Sequence, residues 1–137
     1  MNGAVLLDTV VASYLSPLKP DSTKRRRFQH ALVGKVAILS AQTVAEMYFW
    51  AERRRWGAES RDRLGRFLEG FTVLPCDLDL AAVWAQVRYR TMTLGRVLEV
   101  ADAWIAATAV HYGLELVTND RDFLDLDIPE LKVTYYA

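Results

Sequence analysis

The sequence predicts an α/β fold, a parallel sheet with helices on both faces, and three observations carry that reading. Short apolar runs without alternation, the pattern of strands covered on both sides, recur between stretches with helical spacing. Residues that cap or stop helices bound those stretches. The resulting order is strand, helix, helix, strand, helix, helix, strand, helix, helix, strand, strand. Parallel strands joined by right-handed crossovers need helices to cover them.

Composition narrows the class. At 137 residues the chain is the size of one domain with a substantial core, so residues 1–137 are read as a single domain. Basic and acidic residues number 17 each, so no global field draws in nucleic acid, and any such contact comes from local patches. The single cysteine, Cys76, excludes an intrachain disulfide and a cysteine-rich zinc site, and it suits a reducing cytoplasm. No apolar run nears the roughly 20 residues of a membrane-spanning helix. The amino-terminal MNGAVLLDTVVASYL has no basic flank and is interrupted by Asp8, unlike a secretion signal. The expectation is a soluble cytoplasmic protein with no membrane contact.

Taken in order, Ala4 to Leu7 is a buried strand ending on Asp8 and Thr9, where VVASYL starts a helix. Pro17 and Pro20 bracket a loop, and Asp21 or Ser22 caps a helix running to Leu32. Its basic run, Lys24 to Arg27, reads first as solvated surface. Gly34 closes that helix, and Lys35 to Leu39 reads as a second buried strand. Ser40 caps TVAEMYFWAERRRW, which carries Glu46. At about 100° per residue Glu46 falls opposite Val44, Tyr48 and Ala51, so spacing alone makes it solvated. Arg53, Arg54 and Arg55 form a second basic cluster, also read first as solvated or paired. Gly57 ends that helix, Glu59 to Leu68 forms another, and Thr72 to Leu74 is a third strand.

Asp77 in CDLDL is read as a helix cap rather than as half of a carboxylate pair with Asp79. Ala81 to Leu94 is a long amphipathic helix that Gly95 breaks. Val97 to Phe123, VLEVADAWIAATAVHYGLELVTNDRDF, then gives a helix from Val100 to Tyr112, a stop at Gly113 and a strand from Leu114 to Thr118. Asp102 shares the inward face with Ile105, Ala106 and Ala109, and a partly buried carboxylate needs a cation, a metal or a helix dipole beside it. Asp120 and Asp122 follow the strand, at the end where open parallel sheets place ligands. Lys132 to Tyr136 is a last strand, Asp125 and Asp127 belong to a solvated turn, and the isolated His30 and His111 are structural. The aromatic residues, with Tyr48, Phe49, Trp50 and Trp56 among them, either fill the core or line a partner surface.

Together Asp8, Glu46, Asp102 and Asp120, with Asp122 nearby, spread acids over four segments. A carboxylate set without His or Cys suits a hard ion such as Mg²⁺ better than zinc. The pieces LLDT at 6–9, TVAE at 43–46, ADAWIAATA at 101–109 and LVTNDRDF at 116–123 resemble the PIN domain, specifically VapC-type or FitB-like toxins, over nearly the whole chain. The resemblance implies a three-layer α/β/α sandwich with a central, mainly parallel sheet and a Mg²⁺- or Mn²⁺-dependent ribonuclease. It implies RNA as substrate, an antitoxin protein as partner and a homodimer. Asp8 and Asp102 would be the principal metal ligands, Glu46 and Asp120 would complete the pocket, and Asp122 would support it. Thr9 and Thr118 match positions that supply hydroxyls beside the metal or phosphate.

One departure from the family pattern is Val10, where Asn commonly follows the Asp-Thr pair; it removes a polar group from the pocket floor. Arg53, Arg54 and Arg55, with Lys24 to Arg27, would guide an RNA backbone. Of the rivals, a haloacid-dehalogenase-type phosphatase needs an Asp where Val10 stands, and a receiver domain needs a Lys that Lys132 does not supply. A non-catalytic PIN-fold module that binds RNA or a partner protein is the alternative that Val10 favours.

Overall fold

The computed structural model describes residues 3–137, so Met1 and Asn2 of the apolar amino-terminal stretch lie outside the described residues. Five strands, β1 (Ala4–Leu7), β2 (Val36–Ser40), β3 (Thr72–Leu74), β4 (Glu115–Thr118) and β5 (Val133–Tyr135), form one sheet in the order β3-β2-β1-β4-β5. All four pairings are parallel. Six helices connect them: α1 (Thr9–Leu15) and α2 (Thr23–Ala31), α3 (Ala41–Arg53) and α4 (Ala58–Glu69), α5 (Leu78–Thr93) and α6 (Val100–Tyr112). A 3₁₀ turn at Arg121–Phe123 follows β4.

The pleat divides the core in two. Ala4 and Leu6 of β1 pack with Leu80, Val87, Ile105, Ala106 and Phe123 on the α5–α6 side. Val5 and Leu7 face the other way, onto Val11, Phe28, Met47 and Leu64 of α1, α2, α3 and α4, with Leu39 of β2 beside them. All four β1 residues are therefore buried, which is why this strand reads as a continuous apolar run. The result is the α/β/α layering expected from the sequence. No helix among the described residues is long and apolar enough to cross a membrane.

Local chemistry fixes the helix starts. Ser22, Ser40 and Asp77 accept from the amides of Arg25, Thr43 and Leu80 at 3.0, 3.1 and 2.8 Å, each such cap contributing about 1 kcal/mol. Gly113 ends α6 at φ 66°, a left-handed conformation that glycine adopts without steric cost.

Four expectations need correction. The second strand is buried only from Ile38 onward, because Val36, 54 % exposed, lies at the open end of the sheet beside Gly3. Gly57 does not end α3; the helix stops at Arg53, the chain turns through Arg55 at φ 53°, and Gly57 is the N-cap of α4. Helix α5 begins at Leu78, directly after its Asp77 cap, rather than at Ala81. The inward face of α3 is Thr43, Met47 and Ala51, four residues apart, whereas Tyr48 is 48 % exposed. That shift brings Glu46, three residues from Thr43, to the half-buried edge of the helix instead of its outer face.

Candidate active site

The strand order sets the site. From β1 the chain winds outward to β2 and β3, then crosses back so that β4 pairs on the other side of β1. The carboxyl ends of β1 and β4 therefore flank the point where the winding reverses, the crevice in which such sheets bind ligands.

Asp8 is the first residue past β1 and is 3 % exposed. Its amide donates to the Val117 carbonyl at 2.9 Å, and its own carbonyl accepts from Ala12 at 3.0 Å, locking it between β4 and α1. Its Oδ1 accepts the Thr9 amide at 2.7 Å and its Oδ2 accepts the Thr118 hydroxyl at 2.7 Å. The Thr118 oxygen in turn accepts the Asp120 amide at 2.9 Å, and Asp120 Oδ1 accepts the Asp122 amide at 2.9 Å. A chain of hydrogen bonds thus runs from Asp8 to the 3₁₀ turn. That turn carries Asp120 and Asp122 toward Asp102 in the first turn of α6, and oxygens of these three carboxylates lie within 4.8 Å of one another.

Glu46 comes from α3, which packs against α6. Its Oε1 accepts from Gln42 Nε2 at 3.1 Å. The electrostatics tie it to the others. Burial, above all, pushes the Asp8 carboxyl up to about 6; the Thr118 and Thr9 hydrogen bonds oppose this, and the charges of Asp120 and Glu46 add to it. Burial likewise pushes Asp102 up to about 7, reinforced by Asp8, Asp120, Glu46 and Glu99. Among the described residues the ion pairs are Arg26–Asp21, Arg61–Glu52 and Arg90–Glu130, so no protein cation pairs with these acids. An all-oxygen donor set with uncompensated negative charge matches what a hard divalent cation requires and offers nothing to a thiophilic one.

The sequence-derived site residues thus fall into two groups. Asp8, Glu46, Asp102, Asp120, Asp122 and Thr118 are joined by proximity, charge or hydrogen bonding. The Thr9 hydroxyl instead bonds Thr43 Oγ1 at 2.9 Å, and Ser40 Oγ bonds the same Thr43 oxygen at 3.2 Å, so it braces α1 against α3. Arg53, Arg54 and Arg55 are all exposed at the carboxyl end of α3, and the Arg54 guanidinium lies over the Trp50 and Trp56 rings at 5.8 and 5.9 Å. In the other basic run, Arg25 and Arg27 bond the carbonyls of Lys19 and Ala137, and Arg26 pairs with Asp21. His30 and His111 are both exposed.

Two contributors escaped the sequence reading. Thr43 is fully buried and knits Ser40 to Thr9. Glu99, the residue before α6, adds to the field on Asp102. The only sequence signal for Glu99 is its spacing, three residues before Asp102 on the same helical face.

Comparison with known proteins agrees with this arrangement. The chain is 35% identical over 123 residues to the VapC ribonuclease Y4jK of Sinorhizobium fredii, covering 85% of this chain and 86% of that one. It is 34% identical over 123 residues to the toxin FitB of Neisseria gonorrhoeae, covering 85% and 87%. The solved structure of VapBC-5 from Mycobacterium tuberculosis, a member of the VapBC family of toxin-antitoxin systems, superposes with a TM-score of 0.69 at 26% identity, over 98% of this chain and 99% of that one. The PIN domain family model matches residues 5–129, and with these relatives it establishes that the chain belongs to the PIN domain family.

Proposed function

We propose that the chain is a divalent-metal-dependent endoribonuclease, the toxin of a toxin-antitoxin pair, hydrolysing RNA phosphodiesters in the acid pocket. The observation that carries this reading is the convergence of Asp102, Asp120 and Asp122, within the field of Asp8 and Glu46, with no cationic partner among the described residues. Relatives that are a VapC ribonuclease and a toxin support the activity class, and the toxin-antitoxin neighbour supports a protein partner. Exposed Tyr48 and Phe49 on α3 are suited to a surface shared with an antitoxin or a second copy.

Asp102, Asp120 and Asp122 would hold Mg²⁺ or Mn²⁺, with Asp8 and Glu46 as neighbouring acids. Bound there, the ion supplies countercharge for the scissile phosphate and lowers the pKa of the attacking water. Glu46, with one oxygen anchored by Gln42, would accept the proton of the attacking water as the water oxygen bonds to phosphorus, and the leaving sugar oxygen would depart with the bonding pair and take a proton from solvent. Asp8 keeps one orientation throughout because Thr9 and Thr118 hold both its oxygens. Without countercharge the same acids repel an RNA phosphate, so the residues that bind the metal also make RNA binding depend on it.

The test is cleavage of a mixed RNA pool by protein freed of any partner. Cleavage is expected with Mg²⁺ or Mn²⁺, none with chelator, and a loss of at least about 10²-fold in Asp102→Asn. Cutting that survives chelation or Asp102→Asn would overturn the reading. RNA binding with no cutting under either metal would favour the non-catalytic module that Val10 suggests.

A further inference from the structure

A cavity of about 260 Å³ lies between α1, α3 and α4, walled by Val10, Lys19, Met47, Trp50, Arg54 and Trp56. Two cations share it. Lys19 Nζ donates to Ser13 Oγ at 3.2 Å and sits 4.1 Å from the centre of the Tyr14 ring. The Arg54 guanidinium covers the Trp50 and Trp56 rings. Neither cation has a carboxylate partner among the described residues. Burial, and then the Arg54 charge, lower the Lys19 pKa from its ordinary value, so the two charges are held together at a cost. Lys19 is half-buried and Arg54 is exposed, so the two like charges stand at the mouth of the cavity, where one anion can reach both.

The kind of anion follows from the lining. Trp50, Trp56 and Tyr14 each turn a face to a cation, which holds the charges against the wall of the cavity. Val10, Met47 and Leu64 supply an apolar lining that suits a protein side chain. Val10 also follows Asp8 and Thr9 directly, so one wall of the cavity belongs to the helix that begins at Asp8. We infer that the cavity recognises an acidic side chain, flanked by large apolar ones, on the protein segment that neutralises this chain, with Lys19 and Arg54 reading the carboxylate. The inference rests on the toxin reading above for the existence of such a partner.

The experiment is panning of random 12-residue peptides displayed on phage against the immobilised, metal-free protein. Enriched peptides are expected to carry Asp or Glu beside Trp, Phe or Leu. In Lys19→Met/Arg54→Met the acid enrichment should fall at least tenfold, while Lys19→Arg, which keeps the charge, should retain it. Thermal melting confirms that each variant is folded; should the double variant melt, Arg54→Gln alone must show the same loss. An absence of acidic bias, or the same peptides from wild type and variant, overturns the inference. So does displacement of the phage by an oligouridine RNA as readily as by a free acidic peptide, which would make the cavity an RNA subsite. Metal-dependent cleavage without acidic enrichment sinks this inference alone, and acidic enrichment without cleavage sinks the nuclease reading alone.

Discussion

The acid pocket at the ends of β1 and β4 crowds carboxylates together, while the cavity between α1, α3 and α4 brings Lys19 and Arg54 together. The two are built differently. Asp8 and Asp120 are placed by backbone, through strand register and a relay of hydrogen bonds across Thr118. Lys19 and Arg54 are placed by side chains lying on aromatic faces. They also differ in how the charge can be relieved. A carboxylate can take up a proton or a metal, and Asp8 and Asp102 are poised near neutrality to do so. A guanidinium stays charged at any physiological pH and can only be met by an anion. The acid pocket therefore answers to pH and metal, and the cationic cavity to a partner.

The largest effect that would sharpen this contrast is on metal-free stability. Asp8 and Asp102 titrate near 6 and 7 in the folded chain but near 3.8 when unfolded. Between those values the folded state binds more protons than the unfolded one, so stability falls as pH rises from about 4 through 7. For Asp8 alone the shift corresponds to on the order of 2–3 kcal/mol, or about 10 °C in Tm for a chain of this size. Scanning calorimetry in chelator should show that decline. Mg²⁺ should reverse it at pH 7, and Asp102→Asn should shallow the slope and raise the metal-free Tm. A Tm that climbs across this range would mean the acids are already compensated, and the contrast with the cationic cavity would collapse.

A smaller effect tests whether the acid pocket is held by its hydrogen-bond relay. Thr118→Val keeps the volume of a fully buried side chain but removes the hydroxyl shared by Asp8 and the Asp120 amide. The expected cost is about 1–3 kcal/mol in stability and about tenfold in Mn²⁺ affinity by titration calorimetry, the scale of losses beyond the direct ligands. Unchanged Mn²⁺ binding would show that the 3₁₀ turn positions Asp120 and Asp122 without help from Asp8.

The same contrast explains what the sequence discloses. Features set by neighbouring residues were legible: the Ser40 and Asp77 caps, the Gly113 stop, the apolar run of β1, and Asp102 on the inward face of α6. Spacing misplaces Glu46 because it counts one exposed residue, Tyr48, with the core, which rotates the inferred face. The closeness of Asp122 to Asp102 depends on a short turn after β4 and could not be read from distance along the chain. Lys19 and Arg54 meet only because α1 and α3 pack on the same side of the sheet, a long-range event with no local signature.

The smallest expected effect separates Arg54 from its neighbours in the basic run. All three are exposed, and only the Arg54 guanidinium lies over indole rings. Arg53→Ala/Arg55→Ala should leave Tm within the roughly 0.5 kcal/mol typical of surface changes. If both side chains touched phosphates, the salt dependence of RNA binding would lose a slope of about 1.4, at roughly 0.7 per single-strand contact. Solvated arginines at the carboxyl end of α3 should instead change the slope by less than half of that and cleavage by no more than about threefold. Filter binding from low to moderate salt measures it. A full loss of slope would assign this end of α3 to the RNA and leave Arg54 as the one arginine of the three turned toward the cavity.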